Sequence, residues 1–132
     1  MKLVLIPLTA AALSACAPMM SQPSSGMASG PRQCFRSSEI RSHTIGDDRT
    51  LYLNVAGRET WRATMRSSCL SGATRSDPIV TRQPPGSSMV CSAIDLDLSI
   101  SRGGAMATPC MIESLTRLSP PEAAALPPKL RP

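Results

Sequence analysis

Aromatic side chains are scarce in this chain of 132 residues, which holds one Phe, one Tyr and one Trp. It has a single histidine, no lysine between Arg32 and Leu126, and no Cys-x-x-Cys pair. Its longest uncharged apolar run, Leu3 to Leu13, covers 11 residues. Each scarcity excludes something. Three aromatics and 13 prolines leave little material for a large core, so a domain of this size needs help to stay folded. A lone histidine, His43 in the polar stretch Arg41-Ser42-His43-Thr44, and the lack of a Gly-x-Ser-x-Gly elbow argue against a Ser–His–Asp hydrolase. Without closely spaced cysteines, neither a structural zinc site nor a thiol–disulfide active site is expected. An 11-residue run is too short for a transmembrane helix, which takes roughly 20.

The same short run fits the apolar region of an export signal, which spans about 7–15 residues. Met1-Lys2 supplies the positive start, and Leu13-Ser14-Ala15-Cys16 resembles a bacterial lipobox: an aliphatic residue, two small residues and a cysteine. Residues 1–15 are therefore expected to be a lipoprotein signal peptide and Cys16 the lipidated residue. Two or three acyl chains on one cysteine, at about 0.8 kcal/mol per buried methylene, make a lasting anchor. Ala17 is not the Asp that retains enterobacterial lipoproteins in the inner membrane, so an outer-membrane position facing the periplasm is expected.

Residues 16–31 form a Pro-, Ser- and Gly-rich tether without charge, whose coil reach is on the order of 20 Å. The folded domain is assigned to residues 32–126, followed by a disordered tail over 127–132. Between Arg32 and Leu126, 11 Arg face 9 acids, a balance of +2 with both signs interspersed. This is not the clustered basic face of a nucleic-acid binder.

Period-two alternation dominates the domain. Leu51, Leu53 and Val55 alternate with Thr50, Tyr52 and Asn54; Ala56-Gly57 turns the chain; Glu59, Trp61, Ala63 and Met65 alternate with Thr60, Arg62, Thr64 and Arg66. That is a hairpin. A third run places Ile94, Leu96, Leu98 and Ile100 on one face and Asp95, Asp97 and Ser99 on the other. Shorter strands are expected at 39–45, 78–82, 89–92 and 110–117. Ser119-Pro120-Pro121-Glu122 has the spacing of a capping box and predicts a helix of about two turns. The fold class is mainly β: a small antiparallel meander or barrel-like sheet, one short C-terminal helix, and disulfide staples.

Those staples come from Cys34, Cys69, Cys91 and Cys110, an even set in an exported chain. Sequence alone leaves three connectivities open. A closed meander, in which the first and last strands meet, favours Cys34–Cys110 with Cys69–Cys91.

Other polar groups have ordinary explanations. Asp95 and Asp97 could together hold a cation or act on a glycan, but they fit the solvated face of an amphipathic strand. Asp47-Asp48 fits a turn. Gly103-Gly104 lacks the Lys-Ser/Thr and helix of a phosphate loop. Arg62 and Arg66 could touch anionic headgroups, but suit the wet side of a hairpin equally.

The order Arg32-Gln33-Cys34-Phe35, Asp47-Asp48-Arg49-Thr50-Leu51-Tyr52, Cys69-Leu70, Val90-Cys91-Ser92, Pro109-Cys110-Met111-Ile112 and Leu118-Ser119-Pro120-Pro121-Glu122 resembles the small proteobacterial lipoproteins grouped as domain of unknown function 6491. The resemblance covers residues 32–126 and implies an envelope domain, with no activity and no catalytic residues to carry over. No catalytic residue, metal ligand, cofactor or small-molecule substrate is assigned. The expected partners are the bilayer, through acylated Cys16, and another envelope protein. The leading expectation is a non-catalytic binding or assembly-support module; the alternative is an inhibitor of a cell-wall hydrolase.

Overall fold

The computed structural model describes residues 34–132. The expected signal peptide, Cys16 and nearly all of the tether lie outside the described residues.

Among the described residues, nine strands form three antiparallel sheets: β1 (Phe35–Arg36), β2 (Ile40–Ile45), β3 (Thr50–Val55), β4 (Glu59–Met65), β5 (Ile79–Arg82), β6 (Met89–Val90), β7 (Asp97–Ile100), β8 (Thr108–Cys110) and β9 (Ile112–Arg117). The sheet orders are β1-β6, β2-β3-β4-β9 and β5-β7-β8. One short helix, α1 (Pro120–Ala125), follows β9. The mainly β, meander-like architecture agrees with the alternation in the sequence.

The β3–β4 hairpin has the expected faces. Leu51, Leu53, Val55, Trp61, Ala63 and Met65 are all buried, because a period of two sends alternate side chains to one side of a sheet. Its turn carries two consecutive left-handed residues, Ala56 (φ 52°) and Gly57 (φ 74°), which matches the twist of a hairpin. At the β2–β3 turn, a Cβ on Gly46 would lie 2.9 Å from Tyr52 Cε2 and 3.2 Å from the Thr50 carbonyl oxygen. Glycine is there for close approach.

Two of the three aromatics meet in the core. The Phe35 and Trp61 rings lie 4.8 Å apart at 58°, a tilted arrangement worth about 0.5–1.5 kcal/mol beyond area burial. Phe35 comes from the two-stranded ribbon and Trp61 from the four-stranded sheet. Leu98, Ile100 and Cys110 bring in the three-stranded sheet, so one cluster serves all three.

The barrel-like closure is not realised. β8 ends at Cys110 and β9 begins at Ile112, so Met111 alone carries the chain from one sheet to the next. With no room for a turn, the two strands bend into different sheets instead of pairing. Pro109, which lacks an N–H, sits in the edge strand β8, where a missing donor is tolerated.

The third alternating run is shorter than expected. Asp95 accepts hydrogen bonds from the Cys91 N–H (3.0 Å), the Ser92 N–H (2.8 Å) and the Ser92 hydroxyl (2.9 Å). These bonds stabilise a 3₁₀ turn over Ala93–Asp95, so the strand starts only at Asp97. Ile94, expected in the core, is left 85% exposed.

The tail is not the disordered segment expected over 127–132. Pro127-Pro128 turns the chain back, and Pro128–Leu130 form a 3₁₀ turn. The Thr44 hydroxyl donates to the Arg131 carbonyl at 3.3 Å. The Arg131 guanidinium donates to the carbonyls of Ala124 (2.7 Å) and Leu126 (3.0 Å), which have no partner within so short a helix. The helix start is as expected, with Glu122 accepting from the Ser119 N–H (2.7 Å) and hydroxyl (2.6 Å).

Two disulfides are present, and their pairing corrects the nested arrangement. Cys34 bonds Cys91, and Cys69 bonds Cys110. Cys34 precedes β1, which pairs with β6, and Phe35 opposite Val90 sets the two sulfurs side by side. Cys110 ends β8 in a separate sheet, because the first and last strands never meet. The bridges interleave and close loops with separations of 57 and 41 residues. In the chain-entropy model, loops of this size correspond to about 4 kcal/mol each.

Peptide mapping without reduction should recover Cys34 linked to Cys91 and Cys69 linked to Cys110; a Cys34–Cys110 or Cys34–Cys69 peptide would refute this pairing. Ala56→Asn should raise the melting temperature by several degrees. Asn tolerates positive φ better than Ala, and a gain of about 0.5–1 kcal/mol corresponds to roughly 2–8 °C in a domain this size. An unchanged or lower midpoint would contradict the strain argument.

Candidate functional site

A cleft of about 540 Å³ lies over the outer face of β5–β7–β8 and reaches the start of β9. Alternation builds this face. Leu98, Ile100 and Cys110 point inward and are buried, which leaves Val80, Arg82, Asp97, Ser99 and Pro109 on the other side. Register then sets rows: Val80 opposite Ser99, Ser99 opposite Pro109, and Arg82 opposite Asp97. Met111 and Ile94 stand at the rim, 65% and 85% exposed. Arg66, just past β4, is held next to Met111 by its backbone N–H, which donates to the Met111 carbonyl at 2.9 Å.

Charge in the cleft is unevenly compensated. Glu113 is paired with Arg49 at 2.8 Å. The side chains of Arg66, Arg82 and Asp97 have no hydrogen-bond or ion-pair partner among the described residues. Residues 1–33, which contain no Asp or Glu, cannot supply a counter-charge to the two arginines. The cleft therefore combines exposed apolar tips with two free guanidinium groups and one free carboxylate.

A smaller cavity of about 260 Å³ lies between the edges of β2 and β5, lined in part by Ile40, His43, Pro78 and Thr81. Here His43 Nε2 is buried without a partner. Desolvation holds the His43 pKa below its ordinary value, helped by the charge of Arg75 and opposed by the Asp77 backbone and carboxylate. The neutral ring is favoured.

The candidate residues from the sequence are dispersed. His43 belongs to the small cavity, whereas Asp97 and Ser99 line the large cleft. Asp95 is engaged in its turn and Asp97 begins β7, so they do not form a facing pair. Asp47 caps a turn by accepting the Arg49 N–H at 2.8 Å. Asp77 accepts from the Thr74 N–H at 2.8 Å, from the Thr74 hydroxyl at 3.0 Å, and across the fold from the Gly103 N–H at 3.0 Å. Gly103-Gly104 is thus the far side of a structural contact. Arg62 and Arg66 diverge: Arg62 lies near Glu122 of α1, and Arg66 lines the cleft. No group of three or more His, Cys, Asp or Glu is placed to hold a metal among the described residues. No described helix is long and apolar enough to cross a membrane.

The cleft residues Ile94, Met111 and Arg82 were not singled out in the sequence. Ile94 read as core, and only the Asp95 turn exposes it.

Hydrogen bonding gives four carboxyls pKa values below the ordinary range. The leading donors are the Arg49 N–H for Asp47, the Gly103 N–H for Asp77, the Ser92 hydroxyl for Asp95 and the Ser119 hydroxyl for Glu122. Depressed carboxyl pKa values stabilise the fold above the unfolded pKa, and that contribution disappears as pH falls through the folded values. His43 acts at higher pH. Because its folded pKa is lowered, stability is full above about pH 6.5 and declines below it, as the unfolded chain takes up the proton first. Thermal melts should therefore show two losses on acidification, one starting below about pH 6.5 and one below about pH 4.5. His43→Asn should remove the first and leave the second; a persistent first step would refute its assignment to His43.

A family model described as a family of unknown function (DUF6491) matches residues 1–131. No curated protein and no solved structure matches the chain.

Proposed function

The chain belongs to the DUF6491 family, and on that footing we propose that it is a lipid-anchored lipoprotein of the cell envelope that works as a non-catalytic binding module. The observation that carries the binding role is the open cleft of about 540 Å³ with Ile94 and Met111 exposed on its rim. Isolated surface apolar residues are ordinary, but two beside a concave site with uncompensated charges are the makings of a contact surface. The lipid anchor rests on the ordered sequence Met1-Lys2, Leu3 to Leu13, then Leu13-Ser14-Ala15-Cys16. Two disulfides suit an oxidising compartment. Ala17 favours the outer membrane, with the domain in the periplasm.

A second reading, inhibition of a cell-wall hydrolase, draws on the loop that follows Gly103-Gly104. Its Met106 is 93% exposed, a protrusion of the kind that can enter another protein's groove. Affinity capture with the intact protein separates the two readings: a lysozyme-like hydrolase bound in a Met106-dependent way favours inhibition.

The anchor is tested at one atom. Wild-type protein should carry acyl mass on Cys16 and sediment with membranes, and Cys16→Ala should do neither. A Cys16→Ala protein that stays membrane-bound as tightly as wild type would refute the lipoprotein assignment.

A further inference from the structure

The free arginines share their cleft with Ala93 and Ile94, which closely follow Cys91, the disulfide partner of the residue where the tether joins the domain. The described chain begins at Cys34, bonded to Cys91. Two and three residues beyond Cys91 are Ala93 and Ile94, which line the cleft. The segment bearing Cys16 therefore joins the domain next to the face that carries Val80, Ile94 and Met111, with Arg66 and Arg82 among them. Seventeen residues lie between Cys16 and Cys34 (34 − 16 − 1), and a Pro/Ser/Gly-rich coil of that length has a mean span on the order of 20 Å. A domain of about 100 residues is itself roughly 25–30 Å across. A link of this length keeps the residues at its root, Cys34 and the rim that follows Cys91, within reach of the bilayer.

We propose that the outer face of β5–β7–β8, with Ile94, Met111, Arg66 and Arg82, rests on the headgroup layer of a membrane containing anionic lipid. This names the partner of the cleft and rests on the envelope-lipoprotein reading above. Ile94 and Met111 enter the interfacial region, where exposed apolar side chains gain burial. Arg66 and Arg82, without partners in the protein, pair with lipid phosphates. Glu113 does not oppose this, because Arg49 neutralises it at 2.8 Å. Asp97, opposite Arg82, is the one carboxylate of the cleft without an ion-pair partner among the described residues, and it leaves the two arginines in excess.

The test uses the full chain purified from membranes, with labelled Ile and Met methyls, in nanodiscs of phosphatidylglycerol and phosphatidylethanolamine that contain a headgroup spin label. Mass spectrometry of the same sample reads acylation of Cys16. The Ile94 and Met111 methyls should broaden severalfold more than that of Ile40, which lines the other cavity. Arg66→Glu with Arg82→Glu should lower this contact by about tenfold or more, with circular dichroism and melting temperature unchanged. Phosphatidylcholine nanodiscs should give the same loss. An acylated chain whose Ile94 and Met111 are no more broadened than Ile40 refutes the surface while leaving the anchor standing. Broadening without acylation, after added vesicles bind, supports the surface and refutes the anchor. Cross-links from this face to another envelope protein, without lipid broadening, would overturn the lipid assignment in favour of a protein partner.

Discussion

Three separately hydrogen-bonded sheets share a single small core, and what keeps them in one arrangement is a pair of interleaved disulfides around the Phe35–Trp61 contact. The ribbon β1–β6 has two residues per strand, too few to persist by hydrogen bonding alone. Cys34–Cys91 fixes its ends. Cys69–Cys110 joins the loop after β4 to the last residue of β8 and so ties the four-stranded sheet to the three-stranded one. Because the two loops overlap in sequence, neither sheet can separate without opening a region that a bridge closes. A domain of this length, poor in aromatics, would be marginal on burial alone.

The carboxylates serve the same end locally. Asp47, Asp77, Asp95 and Glu122 each accept backbone N–H groups at a turn or helix start. Charge-assisted bonds of this kind replace what regular sheet cannot supply in a loop-rich chain. They also remove these acids from the set that could do chemistry. The carboxylate left unengaged in the cleft, Asp97, stands beside serine and arginine, while the one histidine lies in the other cavity.

The exposure of Ile94 on the cleft rim comes from a single turn. With Asp95 drawing in the backbone of Cys91 and Ser92, Ala93–Asp95 becomes 3₁₀ and Ile94 is turned out of the core. The same turn stands next to the disulfide at the start of the described chain. On the proposed reading, the root of the anchor and the exposed apolar rim are close along the chain, so membrane attachment and surface contact would act together.

Much of the fold was legible in the sequence. Strict alternation located β3, β4 and the core face of β7, since a one-residue slip would turn every side chain to the wrong side. The capping spacing of Ser119 and Glu122 located α1 because its two hydrogen bonds are local. The even cysteine count and export pattern pointed to two disulfides. Partner choice was not legible, because it depends on contacts between residues far apart in sequence. The pairing of β9 with β4, the split at Met111 and the Cys34–Cys91 bond are all set by which sheets share the core. The ordered tail over Thr44 arose the same way, through hydrogen bonds made by Arg131, whereas Ile94 is exposed by a local turn in which Asp95 accepts the Cys91 and Ser92 N–H groups and outweighs the alternation. Sequence by itself determined periodicity, caps, the even cysteine set and family; tertiary structure alone decided disulfide connectivity and the gathering of Arg66, Arg82 and Met111 at one cleft, because both depend on residues that only the completed fold brings together.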